Sequence, residues 1–160
     1  MKVKELMTRN PAACTLTNTL ADAAGLMWQH DCGVLPVVAE GGKVVGLITD
    51  RDICMGAMLN ARQLAHIAVE DVASDKVFTC CSEDDVQVAL NKMRENKIRR
   101  LPVVGVDGLL EGLLSMNDIV LRAQEIKGKK EVQVTFADVV NTYKAICEHP
   151  LPLKAKAAGV

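Results

Sequence analysis

Two short patterns in this 160-residue chain have the residue types to do chemistry, Thr49-x-x-Asp52 and Ser115-x-x-Asp118. Each falls where an apolar strand-like run gives way to a helical pattern. A carboxylate there can accept both hydroxyl hydrogens of a ribose-type diol, with charge-assisted strength. The hydroxyl three residues earlier can bond a sugar or phosphate oxygen, and a helix N-terminus adds free N–H groups and positive potential for an anion. The same spacing is also that of a helix cap closed by an acid three residues on. That box favours Glu or Gln at its far end, whereas both patterns here carry Asp. Capping and ligand contact therefore both stand as readings, and they are compatible.

A second cluster is basic. Lys97, Ile98, Arg99 and Arg100 run directly into Leu101-Pro102. The planar donor fork of Arg suits phosphate oxygens; the competing reading is a solvated basic patch. No catalytic constellation accompanies these residues. His30, His66 and His149 are scattered without a repeated acid or nucleophile partner. Cys147-x-His149 with Cys80-Cys81 fits no standard zinc spacing. Phosphate-loop and Gly-rich dinucleotide fingerprints are absent. The expectation is a protein with no catalytic residues and no metal ligands.

The elements that must position these residues come in two copies. Leu35-Pro36-Val37-Val38 aligns with Leu101-Pro102-Val103-Val104 at an offset of 66. Without a gap, the same offset matches Val3 with Val69, Cys14 with Cys80, Ala23 with Ala89, Met27 with Met93, Gly46 with Gly112 and Asp52 with Asp118. Two copies suggest a pseudo-two-fold pair, each half covering the apolar face of the other. Leu20, Ala23, Ala24 and Met27 recur at helical spacing, as do Val86, Ala89, Leu90 and Met93. Thr17 or Asn18, and Ser82, are the expected caps of these helices. Strands are expected at Val34 to Val38 and Arg100 to Val104, then at Val44 to Ile48 and Leu109 to Leu114, across turns at Glu40-Gly41-Gly42 and Val106-Asp107-Gly108. Helices follow from about Asp50 and Met116, and a short first strand lies near Ala12 to Thr15 and Phe78 to Cys81. Each copy thus reads β-α-β-β-α, an α+β architecture. The copies occupy residues 1–60 and 69–124, joined by a connector at 61–68. The asymmetry of the basic cluster is now visible: Arg99 and Arg100 correspond to Gly33 and Val34, and Arg51 to Asn117.

Taken together, Glu5-Leu6-Met7-Thr8, Leu35-Pro36-Val37-Val38, Gly46-Leu47-Ile48-Thr49-Asp50-Arg51-Asp52-Ile53 and their second-copy counterparts resemble the cystathionine-beta-synthase-type (CBS) domain family, over roughly residues 1 to 124. The resemblance implies one module built from two repeats, with clefts that bind adenosine ligands such as AMP, ADP, ATP or S-adenosylmethionine, and pairing into homodimers. It implies ribose and phosphate contacts from Thr49, Asp52, Ser115 and Asp118. It implies phosphate contacts from Arg51, Arg99 and Arg100, and an adenine slot from Pro11 and Ala12 in one copy and Val77 and Phe78 in the other. The expected function is a non-catalytic regulatory sensor with an adenine nucleotide as ligand and an unidentified regulated protein as possible partner. Two alternatives remain: a structural or protein-interaction module without nucleotide, and an S-adenosylmethionine or metal sensor on the same fold.

Composition narrows the classes further. Net charge is −1 and neither half is strongly basic, against a nucleic-acid partner. Trp28, Tyr143, Phe78 and Phe136 are the only aromatics, too few for base-stacking platforms. No membrane-spanning or signal-like apolar run appears, so a cytoplasmic location is expected. The six cysteines contain no C-x-x-C pair, and most are expected to be small buried hydrophobes and not disulfides. Beyond the repeats, residues 125–150 form an extension. Gly128-Lys129-Lys130 reads as a break; Phe136, Val139, Val140, Tyr143 and Ile146 then recur at helical spacing behind Thr135 as cap, with Pro150 and Pro152 as stops. Packing on its own module or on a dimer mate is the leading use of this helix, docking to a partner protein the other. Residues 151–160 are expected to be disordered.

Overall fold

The two copies fold with their leading segments exchanged. A computed structural model describes residues 1–74, 76–124 and 134–148. The expected break at Gly128, the stops at Pro150 and Pro152, His149 and the tail from 151 lie outside the described residues. In chain order the elements are β1 (Thr8–Arg9), β2 (Cys14–Thr15), α1 (Leu20–Gln29), β3 (Val34–Val38), β4 (Val44–Thr49), α2 (Asp50–Asn60), β5 (Cys80–Cys81), α3 (Val86–Asn96), β6 (Arg100–Val104), β7 (Leu110–Ser115), α4 (Met116–Val120) and α5 (Phe136–Cys147). One sheet has the order β2-β3-β4, the other β1-β7-β6-β5. Within each, the Leu-Pro-Val-Val strand runs parallel to the short first strand and antiparallel to the strand after the turn.

The exchange shows in β1, which precedes the first repeat but pairs with β7 of the second. Val3 is fully buried in the second repeat's core, with Val86, Leu90, Met93, Leu101 and Ile119. Its counterpart Val69 is buried in the first repeat's core, with Leu20, Met27, Leu35, Ile48 and Ile53. Backbone bonds repeat the pattern: the Val3 N–H donates to the Asp84 carbonyl, and the Val69 N–H to that of Asn18. The two hairpin tips also meet, Leu110 N–H donating to Gly42 C=O and Val44 N–H to Gly108 C=O. Each half is therefore incomplete without the other, which is the physical content of the 66-residue repeat.

Gly46 and Gly112 make room for the exchange. A Cβ on Gly112 would stand 2.9 Å from the Thr8 carbonyl oxygen; one on Gly46 would stand 3.2 Å from that of Ser74, the counterpart of Thr8. Gly25, on α1, has nothing within 4 Å of its would-be Cβ. Two alanine substitutions should therefore move stability in opposite directions. Gly112→Ala overpacks against backbone and should cost about 1–3 kcal/mol, whereas Gly25→Ala should add about 0.5–1 kcal/mol through helix propensity. Urea melts of the two variants check both signs.

The caps differ from expectation in place but not in kind. Thr19 caps α1 and Asp85, its counterpart, caps α3; Thr17, Asn18 and Ser82 do not. Asn18 instead accepts from the Thr15 N–H in the preceding turn, so a capping-type residue was spent on a turn. Thr135 caps α5 as expected. Burial alone would push the Asp138 carboxyl up, but hydrogen bonds from Thr135 hold it below its usual range.

The cysteines are less buried than composition suggested. All six are free; Cys14 and Cys80 are buried, Cys32 is half-buried, and Cys54, Cys81 and Cys147 are exposed. Burial pushes the Cys14 thiol up to about 11 and the Cys80 thiol up to about 12, so these two are inert packing groups. Among the described residues no helix is long and apolar enough to cross a membrane.

Candidate functional site

Both Asp52 and Asp118 close capping boxes. Asp52 Oδ2 accepts from the Thr49 N–H at 2.9 Å and the Thr49 hydroxyl at 2.7 Å, while the Asp52 N–H donates back to Thr49 Oγ1 at 3.2 Å. The second repeat duplicates this with Ser115 and Asp118 at 2.8, 2.6 and 3.3 Å. The hydroxyl hydrogens of Thr49 and Ser115 are thus spent on their own acids, and these hydroxyls can offer an incoming group only acceptor capacity. The Oδ1 atoms of Asp52 and Asp118 have no partner among the described residues, leaving one half-buried carboxylate oxygen per repeat for a diol.

The second repeat adds a basic recess. Arg100 lies opposite Ser115 in the β6–β7 ladder, and the Arg99 carbonyl accepts from the Met116 N–H at the start of α4. The strand pairing therefore brings Arg99, Arg100 and Ser115 together. With Met116, Asn117 and Tyr143 they line a recess of about 150 Å³. Among the described residues neither guanidinium has a carboxylate or other hydrogen-bond partner. Two arginines without ion-pair partners, an exposed amide at Asn117 and Tyr143 give the recess a basic, polar lining. A whole nucleotide needs a pocket of several hundred Å³, so this recess is too small to enclose one.

Tyr143 lines the recess although its place in the sequence points only to packing. Its helical register with Phe136, Val139 and Ile146 marked it as packing, and it does pack on the second repeat's core. Only its being the one tyrosine, with a hydroxyl to satisfy, could have singled it out.

The first repeat lacks this chemistry. At the counterpart position the Asp50 carboxylate lies over Gly33: a Cβ there would stand 2.9 Å from Asp50 Oδ2. Val34 is buried and apolar, and Arg51 is exposed, its N–H donating to Asp50 Oδ1. A carboxylate at that position disfavours an anion.

The expected adenine residues do not join the recess. Pro11, Ala12, Val77 and Phe78 are half-buried; Ala12 and Phe78 pack on the two cores. Lys76 Nζ sits 5.3 Å from the Phe78 ring centroid, so one face of that ring is already taken.

Comparison with known proteins agrees with this architecture. The family model described as CBS domain matches residues 3–57 and 69–125. The chain is 33% identical over 117 residues to CBS domain-containing protein YhcV of Bacillus subtilis, covering 73% of this chain and 81% of that protein. It spans 24%, 61% and 64% of the length of three other curated relatives. Among solved structures, CBS domain protein PAE2072 from Pyrobaculum aerophilum, complexed with AMP, superposes with a TM-score of 0.67 at 28% identity, covering 74% of this chain and 90% of that one. The CBS domain pair of protein MJ0100, in complex with 5′-methylthioadenosine and S-adenosyl-L-methionine, superposes with a TM-score of 0.69 at 26% identity, covering 76% and 94%.

Proposed function

Because this chain belongs to the CBS-domain family, with two copies of the domain forming one α+β module, we propose that it is a non-catalytic regulatory module that binds an adenine nucleotide (AMP, ADP or ATP) through its second repeat. The observation that carries this reading is the convergence of the unpaired Arg99 and Arg100 with Ser115 on one recess. In it, Arg99, Arg100 and Tyr143 hold phosphate oxygens and Asp118 Oδ1 accepts from the ribose. Val77 and Phe78 flank the base. The AMP complex of the similar PAE2072 protein supports the ligand class. We read the module as a cytoplasmic homodimer acting on a regulated protein, with ligand shifting its state by no more than its differential affinity.

The first repeat supports a different ligand. Asp50 over Gly33 suits a neutral or cationic adenosine compound better than a phosphate, and the similar MJ0100 pair holds S-adenosylmethionine, which carries a sulfonium cation. In this reading Thr49, Asp52, Pro11 and Ala12 serve the adenosine part, and Arg51 is turned to solvent.

Calorimetry of the purified chain against AMP, ADP, ATP and S-adenosylmethionine tests both readings. Adenine nucleotides should bind with micromolar-scale dissociation constants, about −7 to −8 kcal/mol. At about a hundred times that constant they should add roughly 2.7 kcal/mol of stability. If millimolar AMP, ADP and ATP give no heat and leave the melting curve unmoved, the nucleotide reading is wrong and an interaction module takes its place.

A further inference from the structure

The two repeats differ in what covers their helices. In the second, Val139, Tyr143 and Ile146 of α5 share one core with Leu90, Met93 and Ile119 of α3 and α4. Arg94 Nη2 donates to Thr142 Oγ1 at 3.4 Å, and Lys97 Nζ to the Glu148 carbonyl at 2.6 Å, clamping the end of α5. Shifted by 66, Leu90, Met93, Arg94, Lys97 and Ile119 become Ala24, Met27, Trp28, Asp31 and Ile53. In the first repeat these same positions line an open groove of about 630 Å³ between α1 and α2. Trp28 at its edge is 90% exposed. The repeat thus has two corresponding seats, one filled by α5 and one left as an open groove with Leu64 of the connector in its wall.

The uncovered seat has its own charge. Where the filled seat has Lys97, the open one has Asp31, and Asp50 lines the same groove where the filled one has Met116. Neither acid has an ion-pair partner among the described residues. A carboxylate cannot hold the carbonyl end of a helix as Lys97 does; it calls for a cation beside the apolar stripe. The outer face of α5 has that composition. Phe136 is 55% and Val140 50% exposed, and exposed Lys144 follows four residues on, also without an ion pair. Residues four apart share one helix face, so the three form a stripe with its charge at one end.

We propose that the α1/α2 groove of the first repeat receives the outer face of α5 from a second copy of this chain. Phe136 and Val140 lie against Met27, Trp28 and Ile53, and Lys144 faces Asp31. In a two-fold pair this contact occurs twice, joining first repeat to second repeat head to tail. The proposal rests on the homodimer reading above and adds its interface and orientation.

Sedimentation equilibrium of the full chain tests it. Trp28→Ala and Phe136→Ala should each raise the dimer dissociation constant about thirtyfold, the scale of an aromatic anchor, with unchanged circular dichroism since both side chains are largely exposed in the protomer. Lys144→Glu and Asp31→Lys should each weaken the dimer about tenfold, and together restore it to within about threefold of wild type. Asp31→Lys is tolerated by the backbone, because Lys97 already occupies the same left-handed conformation (φ +54° against +48°). A dimer indifferent to all four substitutions overturns the interface and leaves the homodimer reading intact, as does a charge pair that fails to restore. A wild-type chain that is monomeric at tens of micromolar overturns both. The nucleotide reading is judged separately, by the calorimetry above.

Discussion

Replacing Arg99 and Arg100 together by alanine should weaken AMP and ATP binding by about a hundredfold or more and leave adenosine binding within about threefold of wild type. Each guanidinium offers charge-assisted hydrogen bonds, worth about 1.5–3 kcal/mol apiece when well made. Arg100 is half-buried and Arg99 exposed, so Arg100 should carry the larger share. Neither guanidinium has a partner among the described residues, so removing both costs the fold little. The wild-type affinity should fall steeply between about 50 and 500 mM salt, and the double variant should be nearly flat, since screening acts on the charges that were removed. Calorimetry at the two salt concentrations reads both effects. An equal loss for adenosine and AMP would mean that the arginines shape the cleft without meeting a phosphate. Asp118→Ala is a less clean probe, because it also breaks the capping box of α4, at about 1 kcal/mol of stability, whether or not a ribose binds.

The second large effect concerns the seat of α5. Leu90→Ala should destabilise the protein by about 2–5 kcal/mol, because Leu90 is fully buried in the core that α5 completes. For a chain of this length that lowers the melting temperature by roughly 5–15 °C. Val88→Ala, two residues earlier on the same helix and 42% exposed, should change stability by less than about 0.5 kcal/mol. Thermal melts followed by circular dichroism separate the two. Equal losses would mean that α3 is anchored on a different face from the one turned to α5.

Much of the fold was legible because its signals are local. The strands at Val34–Val38 and Arg100–Val104 stand where period and turn residues put them, and α2 and α4 begin at Asp50 and Met116. The site was legible in part. Arg99, Arg100 and Ser115 do converge, because a strand and its antiparallel neighbour bring residues 15 positions apart to one rung. The T/S-x-x-D pattern was less informative than its chemistry suggested. It recurs as Thr19/Asp22 and Thr135/Asp138, with the same capping-box geometry each time. The pattern alone reports a helix start; only Arg99 and Arg100 distinguish the Ser115 cap from the others.

The sequence by itself determined the repeat, its 66-residue register, the helix starts and the apolar faces of the helices, all set by residues within a turn or two of each other. Tertiary structure decided which repeat each segment serves. Val3 and Val69 cross into the other repeat's core, and Gly46 and Gly112 permit that crossing by leaving room for a backbone. It also decided that α5 sits on α3 and α4, which brings Tyr143 to the arginines. The two repeats present near-copies of one seat, and α5 fills the second. The two seats differ in Leu90, Arg94 and Lys97 against Ala24, Trp28 and Asp31. Leu90 offers more apolar area than Ala24, and Lys97 can bond the carbonyl end of α5 where Asp31 would repel it. That difference is between surfaces, each assembled from two helices separated in sequence, and no local pattern contains it.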